Sequence, residues 1–523
     1  MSYITRLEVC RMVRVLYNNE ENSPPFLRSP TPRPLPLKDR AVFLFPLSPE
    51  RGKQRIHTNQ LTISRFGDII ITTRHIFLEY GEINMKIKIS KESVVYQGPA
   101  YEDSHWGEVQ FPEIVRCADG ALAIKTHVAD DSWKEFGKNQ DVWCISRDNG
   151  QSWERTDNSV VLQTGYLLPS GDRLYFPLVT GVTCKRSDVK EARIVTQKLP
   201  SDRVTKEADG SWPYPVFMYR DIFLNANHIY DLETLPDEYS KKEWLAYRIA
   251  KGETEAVPEK VKIVHPHMSV RGVMGNGDMV MAPFSPYGRG FRFDKEGNIW
   301  LTSYTGAHLN PYNGGVDVCS ASLLYKSTDN GHTFELAGYI PYIPNTTKHP
   351  NAYMCDGFSE TALEFMDDGS MIVLLRATSV FLGAPEWNSM YYARSTDGGK
   401  TFSEPQEFDK CGVLPNLLKL DCGVTLAAYG RPGIYVRATS DPHGVDWEDP
   451  IEVMTGEDRS SLMNDPPKRP NFHQWAGSCC NVDLKPIGPN QAILAYSDFY
   501  YPDQSGKTSK KLKTILTRII TVE

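Results

Sequence analysis

Long apolar runs are missing from this sequence. No segment of the 523 residues stays hydrophobic over the roughly 20 positions a helix needs to cross a bilayer, so no membrane span is expected. The opening stretch MSYITRLEVCRMVRVLYNNEENS is broken by Arg6, Glu8, Arg11 and Arg14 and shows no secretory leader. A basic excess is missing too. The formal net charge is −7, whereas non-specific nucleic-acid binding needs a positive footprint, so no nucleic-acid partner is expected. The 10 cysteines are scattered singly apart from Cys479 and Cys480, and none has zinc-site spacing. Reduced, packed thiols are the expectation, with no metal or cofactor, and this favours an intracellular location. Asn345 opens a glycosylation sequon that counts only in a secreted chain. Helical periodicity is scarce, with DEYSKKEWLAYRIAKG at 237–252 as a short candidate.

What is present is a globular balance, 40% hydrophobic and 24% charged, enough to bury a core. Residues 1–55 differ from the rest: SPPFLRSPTPRPLPLKDR is proline-dense and reads as an extended N-terminal extension. From residue 56 onward a unit recurs, in which an apolar run, a tight turn and a second apolar run follow one another. The turns carry Gly67, Gly120, Gly171, Gly297, Gly369, Gly423 and Gly488, where glycine supplies the positive φ of a tight hairpin. Third strands such as DVWCIS, SLLYKS, MYYARS and IYVRATS follow several hairpins. The gap from Gly171 to Gly297 is about twice the others and implies an inserted segment at about 180–290. A strand-only unit of this length cannot bury a face alone and must stack on its neighbours. The expected fold is all-β, a β-propeller of antiparallel four-stranded blades spanning 56–523. Seven hairpins imply seven blades, or six if the first hairpin only closes the ring. A β-helix is the alternative, but its repeats are shorter.

Three octapeptides share the form S-x-D-x-G-x-[ST]-aromatic: SRDNGQSW at 146–153, STDNGHTF at 327–334 and STDGGKTF at 395–402. SDPHGVDW at 440–447 is a degenerate copy. The aspartate accepts backbone N–H bonds across the turn, the glycine tolerates positive φ, and the aromatic ring pins the turn to its sheet. Asp148, Asp329 and Asp397 are therefore expected to be staples of the fold rather than catalysts.

This motif after a strand resembles the Asp-box, or BNR repeat, of the sialidase-like superfamily of β-propellers. The resemblance covers about residues 55–523. It implies a carbohydrate-active protein in which three arginines hold a substrate carboxylate, a tyrosine with a glutamate partner acts as nucleophile, and an aspartate is the acid/base. Glu360 in GFSE matches the glutamate, with Arg376 as second arginine and Arg431 of YGRPG as third. The first-arginine position instead holds His57 in HTNQL or Gln110 in QFPEI. The tyrosine position holds Ser478, Cys479 and Cys480 in WAGSCC, and Tyr496 lies on the following strand. These departures put the tyrosine route in doubt.

A positional argument needs no family. Arg74, His127, Tyr304 and Arg376 each lie seven residues past a hairpin glycine, so in a propeller they end strands at one mouth together with Tyr429 and Arg431. His57, Gln110 and Glu360 precede the same hairpins. The expected catalytic set is Glu360, His57, His127 and Tyr304. The expected substrate-binding set is Arg74, Arg376, Arg431, Tyr429 and Gln110, a charge pattern suited to an acidic oligosaccharide or polysaccharide. His75 and His105 fall in the same region, and Asp130, Asp131 and Asp356 are candidates for a second acid. Each has a plainer reading: a strand histidine is usually just hydrogen-bonded, a strand-end arginine can pair with any carboxylate, and Cys479 and Cys480 read as packed thiols. His265 and His267 offer a weak metal pair. The expected activity is exo-acting glycoside hydrolysis of an acidic glycan. The alternatives are a lyase on a uronic-acid glycan, with His57, His127 or Tyr304 as base, and a non-enzymatic propeller that binds a glycan or a protein.

Overall fold

The computed structural model describes residues 42–46, 54–63 and 69–78, and then most of 85–523. Outside the description lie 130–140, 158–164, 177–181, 189–193, 198–227, 237–242, 265–268, 283–285, 348–354, 380–388 and 456–477, with a few scattered positions. The chain divides into two compact units, Met1–Asn84 and Met85–Glu523. The first unit holds an antiparallel three-stranded sheet, Val42–Pro46, Gln54–Ile63 and Ile69–Leu78. Its last two strands pair as a long antiparallel hairpin that sets His57 opposite His75 and Thr58 opposite Arg74. This hairpin falls within Met1–Asn84.

The second unit is all-β, with antiparallel four-stranded sheets, an arrangement consistent with a β-propeller. Sheet A comprises Gln110–Arg116, Leu122–His127, Asp141–Ser146 and Glu154–Thr156. Sheet B comprises Tyr166–Leu167, Arg173–Tyr175, Glu243–Ile249 and Val257–Val264. Sheet C comprises Tyr287–Phe293, Ile299–Tyr304, Ser322–Ser327 and Thr333–Ile340. Sheet D comprises Cys355–Phe365, Met371–Ser379, Met390–Ser395 and Gln406–Asp409. Sheet E comprises Val413–Lys419, Thr425–Gly430, Ile434–Thr439 and Ile451–Met454. Sheet F takes Val482–Gly488, Gln491–Pro502 and Lys511–Val522 from the end of the chain, and its outer strands, Ile87–Ile89 and Ser93–Ala100, from the start of the unit. B and C are fused, because Lys262–Val264 pairs in parallel with Thr333–Glu335.

A further five-stranded sheet joins Val182–Lys185, Ile194–Gln197, His228–Asp231, Ser269–Gly275 and Asp278–Ala282. The chain interrupts it to return for the third and fourth strands of sheet B. Glu243–Ile249 lies inside the short helix candidate of the sequence and is a strand. Trp244 and Ala246 are buried while Glu243 and Leu245 are exposed, so the deciding period is two.

Neighbouring sheets pack face to face. Leu426 and Val436 of E meet Leu494 and Leu516 of F, Ile493 and Ile515 of F meet Ile114 and Ile124 of A, and Leu324 of C meets Leu363 and Val373 of D. Each such fully buried aliphatic side chain contributes about 1.5–3 kcal/mol. A strand covered on both faces has no polar side, and Thr425–Gly430 is buried at every position. The first strands of C, D, E, F and A lie beside one another in that order. Tyr166 of B stacks on Phe291 of C at 3.8 Å between ring centroids, and Arg173 of B donates to the Arg116 carbonyl of A at 3.1 Å.

The octapeptides all join a third strand to a fourth. In the first, Ser146 Oγ donates to Asp148 at 2.7 Å, the Gly150 N–H donates to Ser146 Oγ at 2.8 Å, and the Ser152 N–H donates to Asp148 at 2.9 Å. The same bonds recur at Ser327, Asp329, Gly331 and Thr333, and at Ser395, Asp397, Gly399 and Thr401. The Ser152 hydroxyl and N–H, helped by Ser146, hold the Asp148 carboxyl down at about 2. All of its acceptor capacity serves the turn, which is a structural task.

Candidate functional site

The first strands of sheets A, D and E each contain a non-glycine residue with positive φ, and so does the chain two residues before the first strand of F. Phe111, Glu360, Leu414 and Cys480 have φ of 50°, 38°, 47° and 60°, the left-handed region that non-glycine residues seldom enter. Pairing registers slip between Gln110 and Glu113, Ser359 and Thr361, and Val413 and Asn416. A bulge of this kind leaves one residue out of the ladder and re-aims its side chain. In sheet D that residue is Glu360, because Ser359 pairs with Arg376 and Thr361 with Leu375.

Both Glu360 oxygens are committed. Arg376 Nη1 donates to Oε1 at 2.6 Å, and the Leu414 N–H of sheet E donates to Oε2 at 2.9 Å. The carboxylate side chain is 13% exposed and the guanidinium 21%. Burial pushes the Glu360 pKa up, but the Arg376 charge and hydrogen bond, the Leu414 N–H and the Arg431 charge outweigh it, and the value falls below the ordinary range. Glu360 is therefore ionised. Arg431 follows the second strand of sheet E with φ 75°, and its N–H donates to the Gly433 carbonyl at 2.7 Å.

Sheet C supplies two tyrosines to this group. Tyr304 ends the second strand and is 41% exposed. Its ring meets that of Tyr287 edge-on at 6.3 Å. The Tyr287 hydroxyl is buried and finds no hydrogen-bond partner among the described residues. Burial above all raises its pKa, with Arg289 opposing and Glu360 adding, so it remains a neutral donor. Arg289 reaches from sheet C to two other sheets: Nε donates to the Val482 carbonyl of F at 3.1 Å and Nη2 to the Pro112 carbonyl of A at 3.2 Å. This guanidinium ties the first strands of three sheets together beneath Tyr287. The turn glycine Gly297 marks the hairpin but not where its first strand begins, so the sequence pattern does not single out Tyr287 and Arg289. The alternation in YGRGF was the available signal that the strand begins at Tyr287.

Sheet A sets Gln110, His127 and Asp141 in one cross-strand row. Gln110 is fully buried, its Oε1 lies 3.5 Å from Asn481 Nδ2, and its Nε2 has no partner among the described residues. His127 Nδ1 lies 3.3 Å from Asp141 Oδ1. One register step below, Lys125 pairs with Glu113 at 2.5 Å and pulls its carboxyl down to about 2 against the opposing effect of burial.

The remaining candidates fall elsewhere. Tyr429 is fully buried, packs on Phe408 and donates its hydroxyl to Asp409 at 2.5 Å. It faces the neighbouring sheet, because consecutive strand residues point to opposite faces. The Tyr496 hydroxyl accepts from Arg518 Nε at 2.9 Å in the core. Ser478 Oγ donates to the Ser497 carbonyl at 2.6 Å and accepts from the N–H of buried Cys480 at 2.8 Å. His57, Arg74 and His75 are strand positions of the first unit, and Asp356 is one of sheet D, with side chains outside the description. His105, Asp130, Asp131, His265, His267 and Cys479 lie outside the described residues. Among the described residues no group of His, Cys, Asp and Glu side chains is arranged to hold a metal ion, and no helix is long and apolar enough to cross a membrane.

No protein-family model matches the chain, and no curated protein matches it. Solved structures do. A protein of unknown function from Dyadobacter fermentans is 15% identical over 84% of this chain and 99% of that one, with a TM-score of 0.42. The alpha-L-arabinanase of Penicillium chrysogenum, complexed with arabinobiose, is 9% identical over 82% and 98%, with a TM-score of 0.39. The Trypanosoma rangeli sialidase in complex with the inhibitor DANA is 11% identical over 79% and 55%, with a TM-score of 0.34. Likeness at this level bears on neither activity nor substrate.

Proposed function

We propose that residues 85–523 form a six-bladed propeller that acts on an acidic glycan, with sheets A to F as blades. The observation that carries the reading is the convergence of Glu360, Arg376, Tyr304 and Tyr287 from sheets C and D, with Arg431 of E in electrostatic range of Glu360. Arg376 and Arg431 hold the anionic group of the sugar. Ionised Glu360 keeps the guanidinium of Arg376 in one orientation, so less freedom is lost when substrate binds. The exposed Tyr304 phenol is the reacting group, and the His127–Asp141 pair moves the proton. The reaction is hydrolysis of a terminal glycosidic bond.

A second reading keeps the same residues. Both oxygens of Glu360 are already bonded, which removes it as a free acid and favours proton abstraction by Tyr304 or His127 from a uronate whose carboxylate Arg376 neutralises. Acidic oligosaccharides incubated with the protein separate the two. Both reactions create a reducing end, but only elimination also creates a conjugated uronate that absorbs in the ultraviolet. Arg376→Ala and Tyr304→Phe are expected to abolish either product. Full activity in both variants would overturn the site assignment.

A further inference from the structure

Between its second and third strands sheet C carries a small hairpin, His308–Leu309 against Val316–Asp317. Nothing above gives it a task. His308 is 2% exposed, and both ring nitrogens are engaged. Nδ1 lies 3.0 Å from Thr305 Oγ1, and Nε2 lies 3.1 Å from the Tyr339 hydroxyl. Thr305 Oγ1 also accepts the Ala321 N–H at 3.1 Å. The Nε2 proton goes to the Tyr339 oxygen, and the Tyr339 hydroxyl donates to Asp317. Asp317 Oδ2 also accepts from Asn310 Nδ2 at 2.9 Å. These partners place a proton on Nε2. One run of hydrogen bonds thus links the Ala321 N–H through Thr305, His308 and Tyr339 to the Asp317 carboxylate.

Thr305 directly follows Tyr304 and is held at every polar atom. Its N–H donates to the Ala321 carbonyl at 3.2 Å, its carbonyl accepts from Ser320 Oγ at 2.6 Å, and its hydroxyl joins Ala321 to His308. Ser320 continues the path. It bridges Gly357 in parallel, and its carbonyl accepts the Phe358 N–H at 2.9 Å. Gly357 has φ 109°, and a Cβ there would lie 2.2 Å from the Ser320 oxygen, so the approach requires glycine. Two residues beyond Phe358 stands Glu360. One hydrogen-bonded path thus clamps the end of the strand that presents Tyr304 and the start of the strand that presents Glu360.

We infer that His308 is a positioning residue of the site: through Thr305 and Ser320 it fixes Tyr304 relative to Glu360 and Arg376. This assignment rests on the reading of Tyr304 and Glu360 as the working groups, and His308 itself touches neither. Two variants test it. Tyr339→Phe keeps the ring that packs edge-on against His308 and Tyr312 and deletes the hydroxyl. His308→Asn keeps a hydrogen-bonding partner for Thr305 but is too short to reach Tyr339. In both, amide hydrogen exchange at Ala321 and Phe358 is expected to quicken by about tenfold or more while the thermal midpoint hardly moves. On whichever acidic oligosaccharide the wild-type protein cleaves, kcat is expected to fall about tenfold with KM within about twofold, because binding by Arg376 survives while Tyr304 loses its orientation. Unchanged exchange at both amides in Tyr339→Phe would overturn the inference whatever the activity, and that variant decides alone if His308→Asn does not fold. Equal rises in KM and falls in kcat would also overturn it, since they would mark a general loosening. Faster exchange in a protein that cleaves no acidic oligosaccharide would uphold the clamp and refute the enzymatic reading of the site.

Discussion

Glu360 and Arg376 exchange a strong hydrogen bond in a place where neither is well solvated. Removing one partner strands the other, so Arg376→Ala is expected to cost about 3–5 kcal/mol in chemical denaturation, and Glu360→Gln less. The sign of the pH effect follows. The folded carboxyl titrates below its unfolded value of about 4.3, so its contribution is complete above that pH and is lost as pH falls through the folded value. Wild-type stability is expected to drop on acidification through this window, and Glu360→Gln to show a flatter acid limb. Tyr429 gives the contrasting case. Tyr429→Phe is expected to cost about 1 kcal/mol and leave turnover of an acidic oligosaccharide unchanged, and a fall in kcat without loss of stability would return it to the site. Residue type and hairpin offset alone did not distinguish Tyr429 from Arg431. The two lie two positions apart, but the second strand of sheet E ends at Gly430, so Arg431 leaves the ladder while Tyr429 stays in the packed face.

Elements were more legible than residues. A glycine turn between apolar runs and an aspartate two places after one hydroxyl residue and four before another are local signals, and local bonding realises them, as the bonds of Asp148, Asp329 and Asp397 show. Gly150 adds a packing constraint that local pattern does not carry. Its φ is 87°, and a Cβ would lie 2.3 Å from the Ile493 Cδ1 of sheet F. Gly150→Ala is expected to cost about 2 kcal/mol or more, read as a lowered unfolding midpoint with Asp148 unaltered. Bulges were not legible, because nothing in the side chains of Phe111, Glu360 or Leu414 favours positive φ. Tertiary fit imposes that geometry, and the orientation of Glu360 follows from it. The helix candidate failed for a related reason: the exposed positions Glu243 and Leu245 suit a helix face as well as a strand face until the neighbouring sheet is known.

At the scale of the molecule the sequence pattern implies seven hairpins, and the first of them, Gln54–Ile63 paired with Ile69–Leu78, falls in the unit Met1–Asn84. Strand pairing between the two ends of the second unit was beyond any local signal. Lys511–Val522 accepts Ile87–Ile89 and Ser93–Ala100 across more than 400 residues of chain. Deleting 85–100 is expected to leave that strand as a bare edge. The truncated protein should unfold at lower temperature and associate in a concentration-dependent way by size-exclusion chromatography. A monomer of unchanged stability would show that the pairing adds nothing.

The parallel seam between Lys262–Val264 and Thr333–Glu335 makes neighbouring sheets unequal in how they come apart. Sheets C and D share a backbone bond, from the Phe358 N–H to the Ser320 carbonyl, and E and F one from the Cys422 N–H to the Pro489 carbonyl, and side-chain packing does the rest. B and C share a ladder of three consecutive residue pairs and must shear as a ribbon. Pulled from its two ends, the second unit should therefore surrender the terminal pairing in sheet F first and part B from C last, leaving a resistant fragment of about residues 166–340 that single-molecule force measurements would register as the final rip.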